Sequence, residues 1–319
     1  MEQRIEFEKI IATLKDPVFD RVLVACHRSP DGDACASSHA LAYALRAMGK
    51  QSAVFCPDPF GVEFSYMTEV DFGEPFIPEH FVTVDVAAPE MLCGADFIPR
   101  IDLVIDHHRK NTVCCDQKLV RPDYASCAQL VMEVILALGV KPDAYLAETL
   151  YTGIATDTGC FRYSNTDAKT FQAVAELFPY AEEGAFYRIN KRLFETKSKK
   201  RIRLEAFAAE SFCLTCDGKL AYLSVSLKKQ EELGAQYEEL DPLINVIRQV
   251  EGVEVALVAK EREAGLYKVS VRSEESFDAS DYCSCFGGGG HRAAAGCTLA
   301  GEETDVLSKL LSEAERRIG

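Results

Sequence analysis

Short apolar runs that end in an acid, or that a histidine closely follows, dominate the pattern of the first half of the chain. They cover residues 21–25, 81–85 and 101–106, and the last is followed by two histidines. Runs of this length between polar residues are typical of strands buried on both faces of a parallel sheet. Their last residues then lie at the carboxyl ends of strands, where open α/β sheets bind ligands. The pattern predicts a polar crevice at one sheet edge. Taken alone, residues 106–108 also fit a surface loop.

Stretches of helical periodicity separate these runs. They predict helices over residues 4–14 and 34–48, the second closed by Gly49 as a C-cap. They also predict a short helix that opens at Ala88-Pro89 and a longer one that begins near Asp143. Strand, polar turn and helix are the parts of a βαβ unit. We therefore expect an N-terminal α/β domain with a mainly parallel sheet flanked by helices.

The second half has a different pattern. Residues 185–205 are helical in periodicity and rich in Lys and Arg, which predicts an exposed linker helix. A solvated charged face is favoured for it over a phosphate-attracting role. Two later pairs of apolar runs predict hairpins, at 211–215 with 220–225 and at 253–259 with 267–272. We expect domains at 1–185 and 206–319, joined by a linker helix at 186–205, with the second a smaller mixed-sheet α/β domain.

Composition narrows the class of protein. With 48% hydrophobic and 27% charged residues in 319, the chain is ordinary globular material. Without a long apolar run or a signal-peptide pattern, a cytoplasmic protein with no membrane partner is expected. Thirteen cysteines without framework spacing indicate reduced thiols, and the Cys213/Cys216 pair lacks the second pair that zinc needs. The net charge of −15 argues against binding of long duplex nucleic acid.

Acids and imidazoles concentrate at the predicted strand and helix ends. They are His27, Asp31, Asp33, Asp85, Asp106, His107, His108 and Asp157. Carboxylates with imidazoles and no thiolate favour Mn²⁺ or Mg²⁺ over structural zinc. Acids crowded into one crevice would repel one another unless cations lay between them. The alternatives are structural: an Asp N-cap in the Pro30-Asp31-Gly32 turn, and Asp157 as a helix-end residue.

The four stretches HRSPDGD, TVDVA, IDHHRKN and ATDTG, in this order, resemble the motifs of the DHH phosphoesterase superfamily. The resemblance implies a centre of two divalent cations that are bridged by Asp85. Mn²⁺ is the expected ion, and Mg²⁺ is the second choice. It assigns His27 and Asp31 to one ion, and Asp33, His107 and Asp157 to the other. His108 would then face the substrate, and Asp106 would orient a neighbouring imidazole. One departure from the family pattern is Ala36, which stands where the family usually has Gly.

A fifth motif, FGGGGHRAAAG from Phe286, resembles the glycine-rich histidine motif of the domain that accompanies DHH. The resemblance makes residues 206–319 a substrate-binding domain, with Arg272, Gly288, Gly289, Gly290 and His291 against a phosphate. A structural salt bridge is the alternative for Arg272, and a flexible loop is the alternative for the glycines. Phe161, Tyr163 and Phe286 are candidates for base stacking, with core packing favoured.

The resemblance implies an enzyme of the nanoRNase type, which hydrolyses short oligoribonucleotides and 3'-phosphoadenosine-5'-phosphate (pAp). Its expected partners are short RNA or small nucleotides, with a cleft between the two domains, and a homodimer is compatible with the sequence. The alternatives are a cyclic or linear dinucleotide phosphodiesterase, and a pyrophosphatase or exopolyphosphatase. A non-catalytic nucleotide-binding regulator is the alternative outside enzymes, although it would be expected to lose ligand residues.

Overall fold

The computed structural model describes residues 2–95 and 97–318, without the side chains of Glu2, Gln3 and His291. The chain divides into two compact units, Met1–Thr196 and Lys197–Gly319. Within the described part of the chain, none of the helices has the length and apolar character needed to cross a membrane.

The first unit is built on a sheet of five parallel strands in the order β2-β1-β3-β4-β5. The strands are β1 (Val22–Ala25), β2 (Ser52–Phe55), β3 (His80–Val84), β4 (Leu103–Asp106) and β5 (Gln117–Val120). The three apolar runs thus form β1, β3 and β4, which are adjacent in the sheet. This confirms the predicted parallel sheet. The short strands β2 and β5 were not predicted.

Helices cover one face of this sheet. Those of the first unit are α1 (Glu2–Lys15), α2 (Gly32–Ala47), α3 (Ser65–Thr68), α4 (Cys127–Leu138), α5 (Ala144–Asp157), α6 (Ala168–Leu177) and α7 (Ala185–Asn190). Val24, Val84 and Ile105 share one core with buried residues of α2, α4 and α5. Alternate strand residues such as Val104 face a second core with Leu92, on the connection after β3. Both faces are therefore buried, as a parallel sheet requires. The predicted helix at Ala88-Pro89 is a short 3₁₀ turn, Pro89–Leu92.

The prediction of one linker helix over 186–205 is wrong. After α7 a π-helical turn, Lys191–Glu195, ends at Thr196 in extended conformation, and α8 begins at Lys199 and runs to Ser211. The Ser198 side chain caps α8 by accepting a hydrogen bond from the Arg201 amide. A serine that satisfies a free amide in this way favours a helix start over helix continuation. The break coincides with the boundary between the two units.

Two of the four basic residues of α8, and the lysine just before this helix, form ion pairs. Lys197 and Arg201 both contact Glu205, and Lys200 pairs with Glu239. These pairs agree with the interpretation of a charged, solvated face.

The second unit contains a mixed sheet of six strands in the order β10-β11-β9-β8-β7-β6, in which only the β7/β8 pair is parallel. Its strands are β6 (Cys213–Thr215), β7 (Leu220–Val225), β8 (Val255–Glu263), β9 (Leu266–Ser273), β10 (Gly289–His291) and β11 (Ala294–Ala300). Its remaining helices are α9 (Leu227–Leu233), α10 (Ile244–Ile247), α11 (Ala279–Ser284) and α12 (Glu303–Ile318). Both predicted hairpins, β6/β7 and β8/β9, are present, and a core lies on each face of the sheet.

The glycine run forms an edge strand, so its interpretation as a flexible loop is wrong for residues 289–291. There β10 pairs antiparallel with β11. A Cβ on Gly288 would lie 2.2 Å from the carbonyl oxygen of Gly296, so the backbone approaches β11 more closely than a side chain allows. Arg272 lies on β9 opposite Ala294 of β11, so one strand separates it from the glycines of β10. The side chain of His291 lies outside the described part of the structure.

Three helices of the first unit meet at Gly153. A Cβ at this position would lie 2.5 Å from the Cβ of Ala128, 2.9 Å from Asp33 Oδ1 and 3.0 Å from the Cβ of Ala36. The glycine therefore lets α5 lie directly on α2 and α4, and it leaves room for the methyl group of Ala36. Gly153 therefore accommodates Ala36, which stands where the family usually has Gly.

We predict that Gly153→Ala lowers the free energy of unfolding by about 1–3 kcal/mol, since overpacking forces the helices apart. Urea denaturation with and without Ala128→Gly measures the effect. Because Ala128 is the nearest neighbour, the double variant should lose less stability than the sum of the two single losses. A neutral Gly153→Ala would contradict the packing described here.

Candidate metal centre

Three adjacent strands bring the predicted site residues together. His27 follows β1, Asp85 follows β3, and Asp106 ends β4 just before His107 and His108. The connections reverse direction between β1 and β3, because β2 lies on the other side of β1. Such a switch point opens a crevice at the carboxyl ends of the strands. The imidazoles and carboxylates meet in that crevice.

Helix ends supply the remaining carboxylates. Asp31 is the N-cap of α2, and its Oδ1 accepts from the amides of Asp33 and Ala34. Asp33 accepts from two amides in the first turn of α4, Cys127 at 2.6 Å and Ala128 at 2.8 Å. Asp157 is the last residue of α5. Helix capping and metal binding are compatible roles for Asp31 and Asp33, because the amides that they cap hold them where they also face the imidazoles.

Backbone carbonyls fix the orientation of two imidazoles. His27 Nδ1 lies 2.8 Å from the carbonyl oxygen of Arg28, and His107 Nδ1 lies 3.2 Å from that of Tyr124. These contacts assign the proton to Nδ1 in the neutral ring and direct the Nε2 lone pair elsewhere. For both residues Nε2 faces Asp85, at 3.5 Å from Oδ2 for His27 and 3.6 Å from Oδ1 for His107. Metal-binding histidines are commonly held in this way by the second ring nitrogen.

The residues form groups in which ligand atoms lie within 4.8 Å of one another. These are His27 with Asp31 and Asp85, Asp33 with His107 and Asp157, and Asp85 with His107 and His108. In the second group, His107 Nε2 lies 3.8 Å from Asp33 Oδ2 and 3.6 Å from Asp157 Oδ2. Such separations are too long for hydrogen bonds but suit two ligands of one ion with bonds of about 2.0–2.2 Å.

Asp85 is the residue whose surroundings fit a cation best. It is 3% exposed, and its Oδ1 is buried without a hydrogen-bond partner among the described residues. Its φ of 58° is left-handed, which is uncommon outside glycine and occurs at functional sites. A buried carboxylate oxygen is costly unless a donor or a cation satisfies it. The oxygen-rich donor set with imidazoles therefore fits a divalent cation.

The electrostatics of the crevice show how strongly the acids repel one another. Burial, together with the charges of Asp85 and Asp157, raises the pKa of Asp33 well above its usual range. Burial likewise raises the pKa of Asp157 to about 6, against the opposing effect of His107. Burial lowers the pKa of His27, but the Asp85 carboxylate outweighs it and raises that pKa to about 9. The site holds protons that a cation would displace.

Asp106 orients His108. Its Oδ1 accepts from His108 Nδ1 at 2.7 Å and from the His107 amide at 2.8 Å. Although burial alone raises the pKa of Asp106, the bond from His108 keeps it below its ordinary value. The same bond raises the pKa of His108 to about 8.

Asn111 was not predicted from the sequence. Its Nδ2 donates to Asp106 Oδ2 at 2.7 Å and to the Val86 carbonyl at 2.8 Å. It therefore ties the end of β4 to the segment that follows Asp85. The signal available in the sequence was its place in the IDHHRKN stretch, five residues after Asp106.

The predicted phosphate-binding residues of the second unit form their own group. Arg272 lies opposite Ala294, whose neighbour Ala295 lies opposite Gly290, so Arg272 and the glycines share one end of the sheet. The Arg272 guanidinium donates to the Val271 carbonyl at 2.9 Å.

Comparison with known proteins places these features in a family. The DHH family, N-terminal domain, matches residues 21–154, and the DHHA1 domain matches residues 217–319. The chain is 33% identical to the "bifunctional oligoribonuclease and PAP phosphatase NrnA" of Thermus thermophilus, over 97% of this chain and 93% of that protein. It is 26% identical to the protein of the same name from Bacillus subtilis, over 93% and 95%. An exopolyphosphatase-related protein from Bacteroides fragilis shares the fold, with a TM-score of 0.88 at 21% identity over 98% and 96% of the chains.

We predict that protein stripped of divalent ions loses stability as the pH rises from about 4 to about 9. The pKa of Asp157 rises from 3.8 to about 6 and that of His27 from 6.5 to about 9 in the folded state. A raised pKa stabilises the fold fully below the unfolded-state value, and this stabilisation disappears as the pH passes the folded-state value. Urea denaturation in chelator across this range checks the slope, and a rise in stability would contradict it.

We predict that Asp85→Asn leaves the metal-free protein folded, because the loss of one charge from a repelling cluster offsets the loss of the attraction between Asp85 and His27. The variant should lose the stabilisation that millimolar Mn²⁺ gives wild type and retain less than about a tenth of its turnover. Thermal denaturation with and without Mn²⁺ measures the first effect. Asp123→Asn, a surface carboxylate paired with Lys169, is the control and should respond to Mn²⁺ as wild type does. Equal stabilisation of Asp85→Asn would exclude Asp85 as a shared ligand.

Proposed function

Because the chain belongs to the DHH family of metal-dependent phosphoesterases, we propose that it hydrolyses short 5'-phosphorylated oligoribonucleotides and pAp. The observation that carries this proposal is the convergence of imidazoles and carboxylates around Asp85, at the ends of three adjacent strands. The names of the relatives from Thermus thermophilus and Bacillus subtilis support the substrate class.

The groups around Asp85 suggest how two cations would be held. His27 and Asp31 would bind one, and Asp33, His107 and Asp157 the other, with Asp85 shared between them. Mixed carboxylate and imidazole ligands favour Mn²⁺, and Mg²⁺ is the second choice. When bound, such a pair neutralises charge on the phosphoryl group and makes water a nucleophile at neutral pH.

His108 is proposed to act on the substrate directly. In the metal-free protein the bond to Asp106 raises its pKa to about 8, and Asp106 fixes the direction of its ring. A protonated imidazole at this position would donate a hydrogen bond to a phosphoryl oxygen or a proton to the departing oxygen. Asp106, with its lowered pKa, remains ionised and stabilises that protonated state.

We propose that the second unit holds the distal phosphate of the substrate through Arg272 and the Gly288–Gly290 backbone. Arginine grips phosphate with paired donors, and glycine permits close backbone approach. His291 belongs to the same proposal on the strength of the motif.

A hydrolysis screen in Mn²⁺ tests the proposed function. The substrates are pAp, di- to pentaribonucleotides, cyclic dinucleotides and pyrophosphate. We expect release of phosphate from pAp and of mononucleotides from the short RNAs. Preference for cyclic dinucleotides or for pyrophosphate, with the short RNAs and pAp left intact, would overturn the proposal.

We predict that hydrolysis of RNA falls steeply between about five and twenty nucleotides, the range of single-strand footprints of small binding domains. The net charge of −15 is poorly suited to hold a long polyanion by many phosphate contacts. Initial rates on a length series of labelled RNAs provide the measurement. Equal efficiency on long RNA would contradict the expectation and indicate a processive exonuclease.

We predict that Arg272→Ala raises KM for pAp and leaves kcat nearly unchanged, because a contact made equally in the ground and transition states affects binding alone. Loss of a charge-assisted phosphate contact should cost about 1.5–3 kcal/mol, or roughly ten- to a hundredfold in kcat/KM. Arg262→Ala, an exposed arginine on β8, is the matched control and should behave as wild type. A loss confined to kcat would instead give Arg272 a part in the reaction step.

A further inference from the structure

Three consecutive residues after α5 have left-handed backbone. Gly159, Cys160 and Phe161 have φ of 56°, 57° and 64°, directly after Asp157 and Thr158. Left-handed conformations of non-glycine residues are strained, and they persist only where surrounding contacts enforce them. Three such residues in a row, close to the proposed metal ligand Asp157, indicate that surrounding contacts hold this turn in one conformation.

Hydrogen bonds connect this turn to the end of α5. The amides of Arg162 and Tyr163 both donate to the Thr158 carbonyl at 3.0 Å. Asn165 Nδ2 donates to the carbonyl of Asp157 and to that of Ala125, each at 3.0 Å. The turn is thus tied to Asp157 and to the residue that precedes the N-cap of α4. It holds Arg162 and Tyr163 next to the end of α5, the helix that ends at Asp157.

Tyr163 is the one of the three candidate stacking residues that stays exposed. Phe161 stacks on Phe171 with ring centroids 5.5 Å apart and packs against the core, and Phe286 meets Tyr282 edge-on at 5.4 Å. Tyr163 is 46% exposed. Core packing therefore accounts for the two phenylalanines and not for the tyrosine.

Gly159 supports the Tyr163 ring. A Cβ on Gly159 would lie 2.3–2.6 Å from three atoms of that ring, so the ring lies against the glycine backbone. The ring is thereby backed on one side while nearly half of its surface remains in solvent. The Tyr163 ring is therefore a platform on which a planar group can stack.

Arg162 is positioned beside this platform. Its Nε donates to the Gly159 carbonyl at 2.6 Å. Within the described residues, its guanidinium has no carboxylate at ion-pair distance, although the chain contains 50 acidic residues. A guanidinium anchored through Nε keeps its terminal nitrogens for an anion.

We propose that Arg162 and Tyr163 form the nucleotide subsite of the first unit, in which the tyrosine stacks on a nucleobase and the arginine binds a phosphate oxygen. This subsite makes the centre selective for nucleotides over base-free phosphate esters. The inference deepens the proposed function and rests on it for the identity of the substrate. Aromatic stacking is tolerant of base identity, so the subsite would accept every nucleobase.

Calorimetric titration of 5'-AMP and ribose 5-phosphate into the Mn²⁺-loaded protein tests the proposal without turnover. Wild type should bind AMP about five- to a hundredfold more tightly than ribose 5-phosphate, the range expected from one stacked base. Tyr163→Ala should abolish this difference, and Tyr163→Phe should retain it. Tyr180→Ala removes an aromatic residue of similar exposure, 42%, and should match wild type.

Arg162→Gln should weaken both ligands to a similar extent, roughly tenfold or more, since both carry the phosphate. If Tyr163→Ala is unstable, Tyr163→Leu replaces it, because leucine still covers Gly159 but provides no aromatic face. Equal affinity of wild type for the two ligands would overturn the proposal. So would a loss in the Tyr163 variants that is equal for both ligands, since it would mark a structural role. Normal AMP selectivity without hydrolysis of pAp or short RNA would refute the proposed function alone.

Discussion

Repulsion among carboxylates at one sheet edge is the constraint on which the rest of this structure depends. Asp33 and Asp85 are almost fully buried and face Asp157 across the same crevice. No fold gains stability from bringing like charges together in a low-dielectric site. In the metal-free protein, burial and this repulsion raise the pKa values of Asp33 and Asp157. The proposed divalent cations would relieve this repulsion on binding, which would connect the strand order to phosphoester hydrolysis.

The fold holds these charges in place with backbone dipoles. Amides at the starts of α2 and α4 donate to Asp31 and Asp33, where helix N-termini favour negative charge. Carbonyl groups orient His27 and His107, and Asn111 holds Asp106. The positions of the proposed ligands are therefore fixed without an ion, as a preorganised site requires.

The sequence was most informative where one local pattern determined the outcome. Apolar runs ending in Asp85 and Asp106 predicted strand ends, and the structure confirms the parallel sheet and the second mixed sheet. Features that depend on tertiary neighbours were not predictable. Gly153 matters because Ala128 and Ala36 lie against it, and Asn111 because Asp106 lies within reach. The prediction of one linker helix failed at Ser198, because this residue caps the start of α8 although the helical periodicity continues through it. The assignment of ligands to individual ions remains a prediction.

Anomalous diffraction at the manganese edge, from crystals grown with Mn²⁺, tests the central claim most directly. We expect two anomalous peaks that both lie within bonding distance, about 2.0–2.4 Å, of the Asp85 carboxylate. One should also contact His27 and the other His107. A single peak, or peaks that Asp85 does not bridge, would contradict the account of a crowded acidic edge organised around two cations.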